Sequence, residues 1–555
     1  MTRRSLARRA PLVALSLALA ASAAAALSGC DAGFDGSPTD NAAPETELAV
    51  RSADLREDLG DRRLVSTVDV AWSGTDADGV VLAYEVRAYA VGAGLPEPGP
   101  EAGWSRTTRR DSVILLPIPL GFDAADVAVQ VRAVDDEDAV DPTPAQTIFP
   151  IRNSDPTFRL VDAETPADST WPVISFSFSA ADPDGESNLA GIELALNDTT
   201  AGFIRIDPTT TFLTLVAEDP GATVTDARLF LGRGFSNSGV TLPGLSLEAE
   251  NVLFLRSLDQ AGATSRTVRY PALDEDGNPD GSFYIQRVTS NVLLVNDFRA
   301  SGVEAVMDIS REALATHGTA TYDEWDLSQT PQNAANPAFS DALPATQDPT
   351  LRETLALWDR IYWVTNAVTN SASGNNFPRS APVLDRFFEG GGRLLLHTPI
   401  TLPLTAEQGE GNPAIDVLPL SGLVNTEGIR SLRAGRDGPE AVRPAAEVPG
   451  TGRTLPELQT SGEVRLYPYN ARPDDIILYE ISLYAGTNTS ATWEGSEVVA
   501  TIRADRRVAL FALPVVNGSA LNFVPADGQT EGVADALAVL LDGLDFPTSA
   551  SLARR

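Results

Sequence analysis

The sequence predicts a multidomain chain in which two all-β sandwiches precede an α/β domain built on a parallel sheet. Three observations carry that expectation. From Glu45 to Arg287, short segments alternate apolar with polar residues and are cut by turn residues at roughly ten-residue intervals, as half-buried strands are. The pattern runs through one copy and then recurs in a second. After Val288 the rhythm changes to continuous apolar runs alternating with stretches of helical period, the signature of strands buried on both faces. The length of 555 residues fits three or four domains at roughly 150 residues each. Apolar residues at 43% are enough for cores, and 21% charged residues is ordinary for globular chains.

Residues 1–29 read as a leader that is removed and never folds. Arg3, Arg4, Arg8 and Arg9 make a positive start, and Pro11 to Leu27 is apolar or small without a charge. That run is short of the roughly 20 residues a spanning helix needs, and no later stretch reaches this length. It ends in Leu27-Ser28-Gly29-Cys30. This ending resembles the lipobox of bacterial lipoproteins, which implies that Cys30 carries a lipid and becomes the first mature residue. The chain's only cysteine stands there. The resemblance places the protein at the cell envelope, exported and held to a membrane by its N-terminal lipid. Outer membrane and periplasmic face of the inner membrane both stay open. Residues 30–44, rich in Gly, Pro and Asp and without periodicity, read as a flexible tether.

The first sandwich is expected over 45–152. Val68-Asp69-Val70-Ala71-Trp72 alternates, the turn Asp76-Ala77-Asp78-Gly79 follows, and Val81 to Tyr89 and Val127 to Ala133 supply further strands. The second is expected over 153–287. Val173 to Ser179 alternates strictly, Asp182-Pro183-Asp184-Gly185 repeats the turn, and Asn251 to Asp259 parallels Val127 to Asp135. Trp72 before a D-x-D-G turn and the Tyr84-Glu85-Val86-Arg87 strand resemble the fibronectin type III and Ig-like modules of bacterial surface proteins. The second copy departs by placing Phe178 where the tryptophan would stand. Asp76, Asp78, Asp182, Asp184, Asp274, Asp276 and Asp280 are candidate calcium ligands, although none opens a full twelve-residue loop. Asp, Asn and Gly are also what tight turns prefer, and both readings stay open.

The α/β domain is expected over 288–547, with a β-rich insertion at about 401–497 and a disordered tail at 548–555. Asn291 to Asp297 is a buried strand, Ser301 to His317 a helix capped by Ser301 with Glu304, and Thr319 to Leu327 a second strand. Leu351 to Trp358 reads as helix, Arg360 to Asn366 as strand, Ala381 to Glu389 as helix and Arg393 to Thr398 as strand. Val508 to Pro514 and Gly532 to Leu544 close the domain as strand and helix. The alternation predicts a parallel sheet with helices on both faces.

The segments VLLVND, YDEWDL, DRIYWVTN and LDRFFEGGGRLLLH resemble the class I glutamine amidotransferase-like fold, a flavodoxin-like arrangement, and its trehalose-utilisation-type relatives. Amidotransferases of this fold use a cysteine nucleophile paired with histidine. This region has no cysteine, so the resemblance implies a fold without that chemistry. In open α/β sheets ligands gather beyond the carboxyl ends of the strands. Those ends are Asn296 and Asp297, Thr365 and Asn366, and His397 and Thr398, with Asp297 and His397 the candidate catalytic pair. The competing expectation is that these residues cap helices and satisfy loops. No G-x-S-x-G elbow, phosphate loop or H-E-x-x-H is present, and Gly390-Gly391-Gly392 ends a helix instead of opening one.

Charge narrows the partners. Acidic residues number 76 against 41 basic ones, for a formal charge of −35, and every basic residue is arginine. Such a field repels phosphate backbones and excludes nucleic acid. Surface solvation and adaptation to a salty medium both account for it. A single cysteine and two histidines, His317 and His397, exclude an internal disulfide and Cys-based metal clusters. The expectation is a lipid-anchored binding or scaffolding protein of the envelope, with envelope proteins or glycans as partners. The alternatives are an envelope hydrolase or sugar-modifying enzyme working at the strand ends, and an assembly component of a secretion or surface-layer system.

Overall fold

A computed structural model describes residues 41–55, 64–92, 96–328, 343–366, 376–400, 413–424, 429, 431–486 and 491–548. Cys30, the rest of 1–40 and much of the tail lie outside the described residues. The chain divides into two compact units, Met1–Pro119 with Ala124–Arg152, and Leu120–Asp123 with Asn153–Arg555.

The first unit is a β-sandwich. Leu64–Thr75 pairs antiparallel with Glu45–Leu55 on one side and Asp111–Leu115 on the other. The facing layer runs Ala145–Arg152, Ala124–Asp135, Val81–Val91, Ser105–Thr107. One parallel pair, Leu64 with Ile151, links the layers. Period-two alternation sends Val68, Val70 and Trp72 inward against Tyr84, Val127, Val129, Val131 and Phe149. Trp72 meets Tyr84 edge-on at 6.3 Å and donates its indole N–H to the Arg109 carbonyl at 2.9 Å.

The second unit begins with another sandwich. Its larger sheet runs Ser236–Ser246, Val224–Leu231, Phe212–Ala217, Val173–Ala181, Thr157–Leu160. The facing sheet runs Ile204–Ile206, Leu189–Leu196, Leu253–Asp259, Val268–Tyr270. Phe178, at the place of Trp72, is buried with Phe176, Ile192 and Leu213.

Both sandwiches hold the chain that enters them in the same way. In the first, the Asn41 amide donates to Asp135 at 2.7 Å and the Ala42 N–H to Asp78 at 3.0 Å. In the second, the Asn153 amide donates to Asp259 at 2.5 Å and the Ser154 N–H to Asp184 at 2.6 Å. The D-x-D turn and the aspartate closing the later strand thus form a clasp in each copy.

Beyond Val288 a ten-stranded sheet forms. Asp323–Asp326, Val292–Asp297, Arg360–Thr365, Arg393–His397 and Val508–Phe511 lie side by side and parallel. Val498–Ile502, Ile476–Ile481, Ala441–Pro444, Leu458–Thr460 and Phe523–Pro525 continue it antiparallel. Strands from 401–497 therefore extend the main sheet. Helix is scarce, 13% of the described residues. Its two long segments, Val303–His317 and Val533–Gly543, pack against each other, so among the described residues the sheet is not wound with full helices on both faces.

Several expected helices are shorter or broken. The 381–389 stretch is a 3₁₀ turn, Ala381–Val383, followed by Asp385–Glu389, because Pro382 removes a ladder donor. The 301–317 helix starts after Gly302, not at a Ser301 cap. Gly302 has φ +91°, and a Cβ there would collide with the Gly518 carbonyl.

The second sandwich is welded to this sheet. Trp171 stands edge-on to Trp358 at 4.7 Å and to Trp325 at 6.3 Å. The Ser175 and Thr350 hydroxyls meet at 2.6 Å. Asp323 gathers the Trp358 indole N–H at 2.8 Å and the Thr289 N–H at 3.1 Å.

Candidate functional site

The carboxyl ends of three parallel strands deliver Asp297, Thr365 and His397, and register decides which of them meet. Asp297 pairs with Thr365, whereas His397 pairs with Val364. Successive strand residues face opposite sides, so Asp297 and Thr365 project from one face and His397 from the other. The expected acid–imidazole pair is therefore divided by the sheet itself.

On its face, Asp297 is fully buried and engaged. Its carboxylate accepts from the Asn376 N–H at 2.8 Å, the Asn376 amide at 2.8 Å, the Phe377 N–H at 3.0 Å and the Trp363 indole at 3.2 Å. Burial pushes its pKa up to about 6, against the pull of these donors. The carboxylate anchors the start of the short Phe377–Ser380 helix, not the Val303–His317 helix that follows it in sequence.

On the opposite face, His397 is buried against Phe511, ring centroids 5.3 Å apart. Burial pushes its pKa down to about 4, opposed by a bond to the Leu513 carbonyl, so the imidazole is neutral at pH 7. Nδ1 stands 3.5 Å from the Tyr362 hydroxyl, which donates to Ser310 Oγ at 3.1 Å, and Ser310 donates to the Val306 carbonyl at 2.9 Å. Tyr362 and Ser310 did not stand out in the sequence. Only the register, which puts Tyr362 two residues before Val364 on the His397 face, identifies them.

A cleft of ≈ 210 Å³ opens beside His397. Asn366 and His397 line it with Ser301, Pro399 and the Leu513 to Gly518 segment. Of the six strand-end candidates these two come together there. Asn296 instead donates to Asp326 at 3.1 Å, and Thr365 is buried on the far face. Thr398 is buried, its N–H donating to the Phe511 carbonyl at 3.0 Å. Asn366 accepts the Arg299 N–H at 2.8 Å. Leu513 to Gly518 was missed as a lining segment, since nothing in its composition marks it. The cleft thus offers an amide, a neutral imidazole, a hydroxyl and small apolar walls. That set can donate and accept hydrogen bonds, and among the described residues no hydrogen bond joins the Ser301 hydroxyl to the His397 imidazole as a nucleophile–base pair would require.

Most oxygens of the acidic turns accept from nearby donors, while Asp76 Oδ2 is buried without a hydrogen-bond partner among the described residues. Asp182 accepts the Asp184 N–H at 2.8 Å and the Asn188 amide at 3.1 Å. Asp274 accepts from Asp276 at 3.0 Å and Asn278 at 2.8 Å, while Asp276 and Asp280 stay exposed. Asp76 accepts the Asp78 N–H at 3.4 Å. Among the described residues no group of three or more His, Cys, Asp or Glu side chains is placed to hold a metal ion. Cys30, the expected lipidation site, falls outside the described residues.

No family model and no curated protein matches the sequence. Among solved structures, the chain is similar to the fibronectin(III)-like modules of Clostridium thermocellum CbhA, at 12% identity over 40% of this chain and 91% of that one, TM-score 0.14. A two-module fibronectin type III segment of chicken tenascin matches at 10% identity over 41% and 97%, TM-score 0.17. Latent PorU from Porphyromonas gingivalis matches at 12% identity over 41% and 24%, TM-score 0.14. Likeness at these scores carries no argument about function. The sandwich architecture rests on the strand pairings above. These comparisons do not confirm the amidotransferase resemblance. No helix among the described residues is long and apolar enough to cross a membrane.

Proposed function

We propose that this chain is a lipid-anchored cell-envelope protein with a binding or scaffolding role, its C-terminal sheet an amidotransferase-like domain without catalysis. One observation carries the reading: the sheet separates Asp297 from His397, leaving a cleft that offers hydrogen bonds but no paired acid and base. The parallel run of strands supports the amidotransferase-like part, and the lack of cysteine after Cys30 supports its being without that family's catalysis. The Arg-rich leader and the LSGC ending support the anchor. Envelope glycans or proteins, met through the cleft at Asn366 and His397, are the proposed ligands.

Two experiments test this. Metabolic labelling with palmitate should mark the wild-type chain and leave Cys30→Ser unlabelled and released from membranes; equal labelling of both refutes the anchor. Binding to an envelope-glycan array and cross-linking to envelope proteins should both be compared with Asn366→Arg, which fills the cleft. Loss of a specific ligand in that variant supports the reading, and an unchanged profile sinks the cleft as its site.

A further inference from the structure

The first sandwich has a second recess, ≈ 400 Å³, between two edge strands. Asp111–Leu115 forms one wall along its whole length, and Ser105 and Thr107 of Ser105–Thr107 form the other. Among the described residues, Asp111–Leu115 pairs only with Leu64–Thr75 and Ser105–Thr107 only with Val81–Val91, so each presents an unpaired edge to the slot. Alternation fixes which groups are free. The Trp72 N–H bonds the Arg110 carbonyl, so Arg110, Ser112 and Ile114 turn their main-chain groups inward. Asp111, Val113 and Leu115 turn theirs toward the slot, where the Val113 N–H is open and its carbonyl also accepts the Ser112 hydroxyl at 3.2 Å. Val113 is 69% exposed, an unusual place for valine on an unpaired edge. Trp72, Val86 and Ile114 give the floor apolar pockets.

The rim has the opposite sign to the rest of the chain. Arg87 and Arg109 line the slot. Arg87 is held by the Gly99 and Ala102 carbonyls, both at 2.9 Å, by Gln130 at 2.7 Å, and by the Trp104 ring at 4.2 Å; the acid in its Coulombic reach, Glu101, is bonded at 2.8 Å to Arg132. Arg109 and Arg110 are exposed and, among the described residues, have no carboxylate partner. Asp111, the acid on this wall, is already paired with Arg51 at 2.6 Å. A second copy docking edge to edge would set these arginines against their own counterparts, so the charge selects a different partner.

We propose that this slot takes an extended acidic peptide segment of a partner protein, added as a strand along Asp111–Leu115 with its acids against Arg87 and Arg109. Main-chain bonds from Asp111, Val113 and Leu115 supply the attachment, and the apolar floor takes alternate side chains. The inference goes beyond the anchored-binding reading and stands independently of the cleft beside His397.

The test uses the full-length protein in detergent and two fluorescein-labelled peptides, one alternating glutamate and valine and one alternating lysine and valine. Fluorescence anisotropy should show the glutamate peptide binding at least ~10-fold more tightly than the lysine one, weakening with salt. Val113→Pro removes only an outward N–H and should weaken binding about tenfold without lowering the melting temperature. Arg109→Glu, which leaves the backbone untouched, should weaken it roughly fivefold. Equal binding of the two peptides, or binding that survives Arg109→Glu, overturns the proposal. So does a concentration-dependent dimer that Val113→Pro abolishes, because the occupant would then be a second copy.

Discussion

Replacing Asp297 with alanine asks whether that carboxylate is a structural anchor. Four buried donors end on it: the Asn376 N–H and side-chain amide, the Phe377 N–H and the Trp363 indole. Each orphaned donor costs about 2 kcal/mol when water cannot reach it. Against this, a carboxyl raised to about 6 is disfavoured in its ionised form by roughly 3 kcal/mol at neutral pH, and the alanine escapes that term. The difference is a loss of about 5 kcal/mol at pH 7. Asparagine keeps one acceptor and should lose about half as much. The assay is urea unfolding followed by tryptophan emission, since Trp363 lies against the anchor, 5.4 Å from Phe377 ring to ring. Limited trypsinolysis is the local readout, because release of Phe377–Ser380 should expose cleavage after Arg379. An alanine variant within 1 kcal/mol of wild type (on the order of measurement error), with no new cleavage, would falsify the anchor.

Other perturbations follow from the same reasoning. Asp182, pushed up to about 6 by burial and by its neighbours Asp184 and Asp259, holds more protons folded than unfolded between pH 4 and 6. Stability should therefore fall as pH rises through that window, and Asp182→Asn should raise the melting temperature at pH 7 but not at pH 4. His397 has the opposite sign: pushed down to about 4, it contributes stability above pH 6.5 that is lost as pH falls toward 4, about 3 kcal/mol in full. His397→Gln should flatten that acid limb in thermal scans, and an unaltered limb would show the ring is not buried neutral. Gly302→Ala should cost roughly 2–4 kcal/mol in chemical unfolding, from its positive φ and the Gly518 carbonyl in its way. A neutral outcome there would mean the helix start relaxes freely.

The strands were the most legible part of the sequence. Val68 to Trp72 and Val173 to Ser179 alternate because one face is wet, and the structure buries the sides that pattern marks. The runs ending at Asp297, Thr365 and His397 likewise form adjacent parallel strands. Register was harder. Nothing in VLLVND or RLLLH tells how far one slides against RIYWVT, and a slide of one residue exchanges the faces. That single step decides whether Asp297 and His397 meet. Caps failed where a tertiary neighbour intervened: Ser301 and Glu304 make a sound box locally, yet the Gly518 carbonyl demands glycine at 302 and moves the start. Trp171 shows the same limit. Its alternating surroundings place it in a sandwich, while its ring completes the core of the following sheet.

The clasps at Asn41 and Asn153 have a mechanical consequence. Any pull from the N-terminal side reaches the first sandwich through Asn41 and Ala42 before it reaches Glu45–Leu55, so two hydrogen bonds stand ahead of the strand ladder. Asn153 and Ser154 stand in the same relation to the second sandwich. Their acceptors are carboxylates, so each catch is a charge-assisted bond, stronger than a neutral one, standing ahead of the strands behind it. A chain built this way yields under tension in small, re-formable steps of a few residues before any sandwich opens.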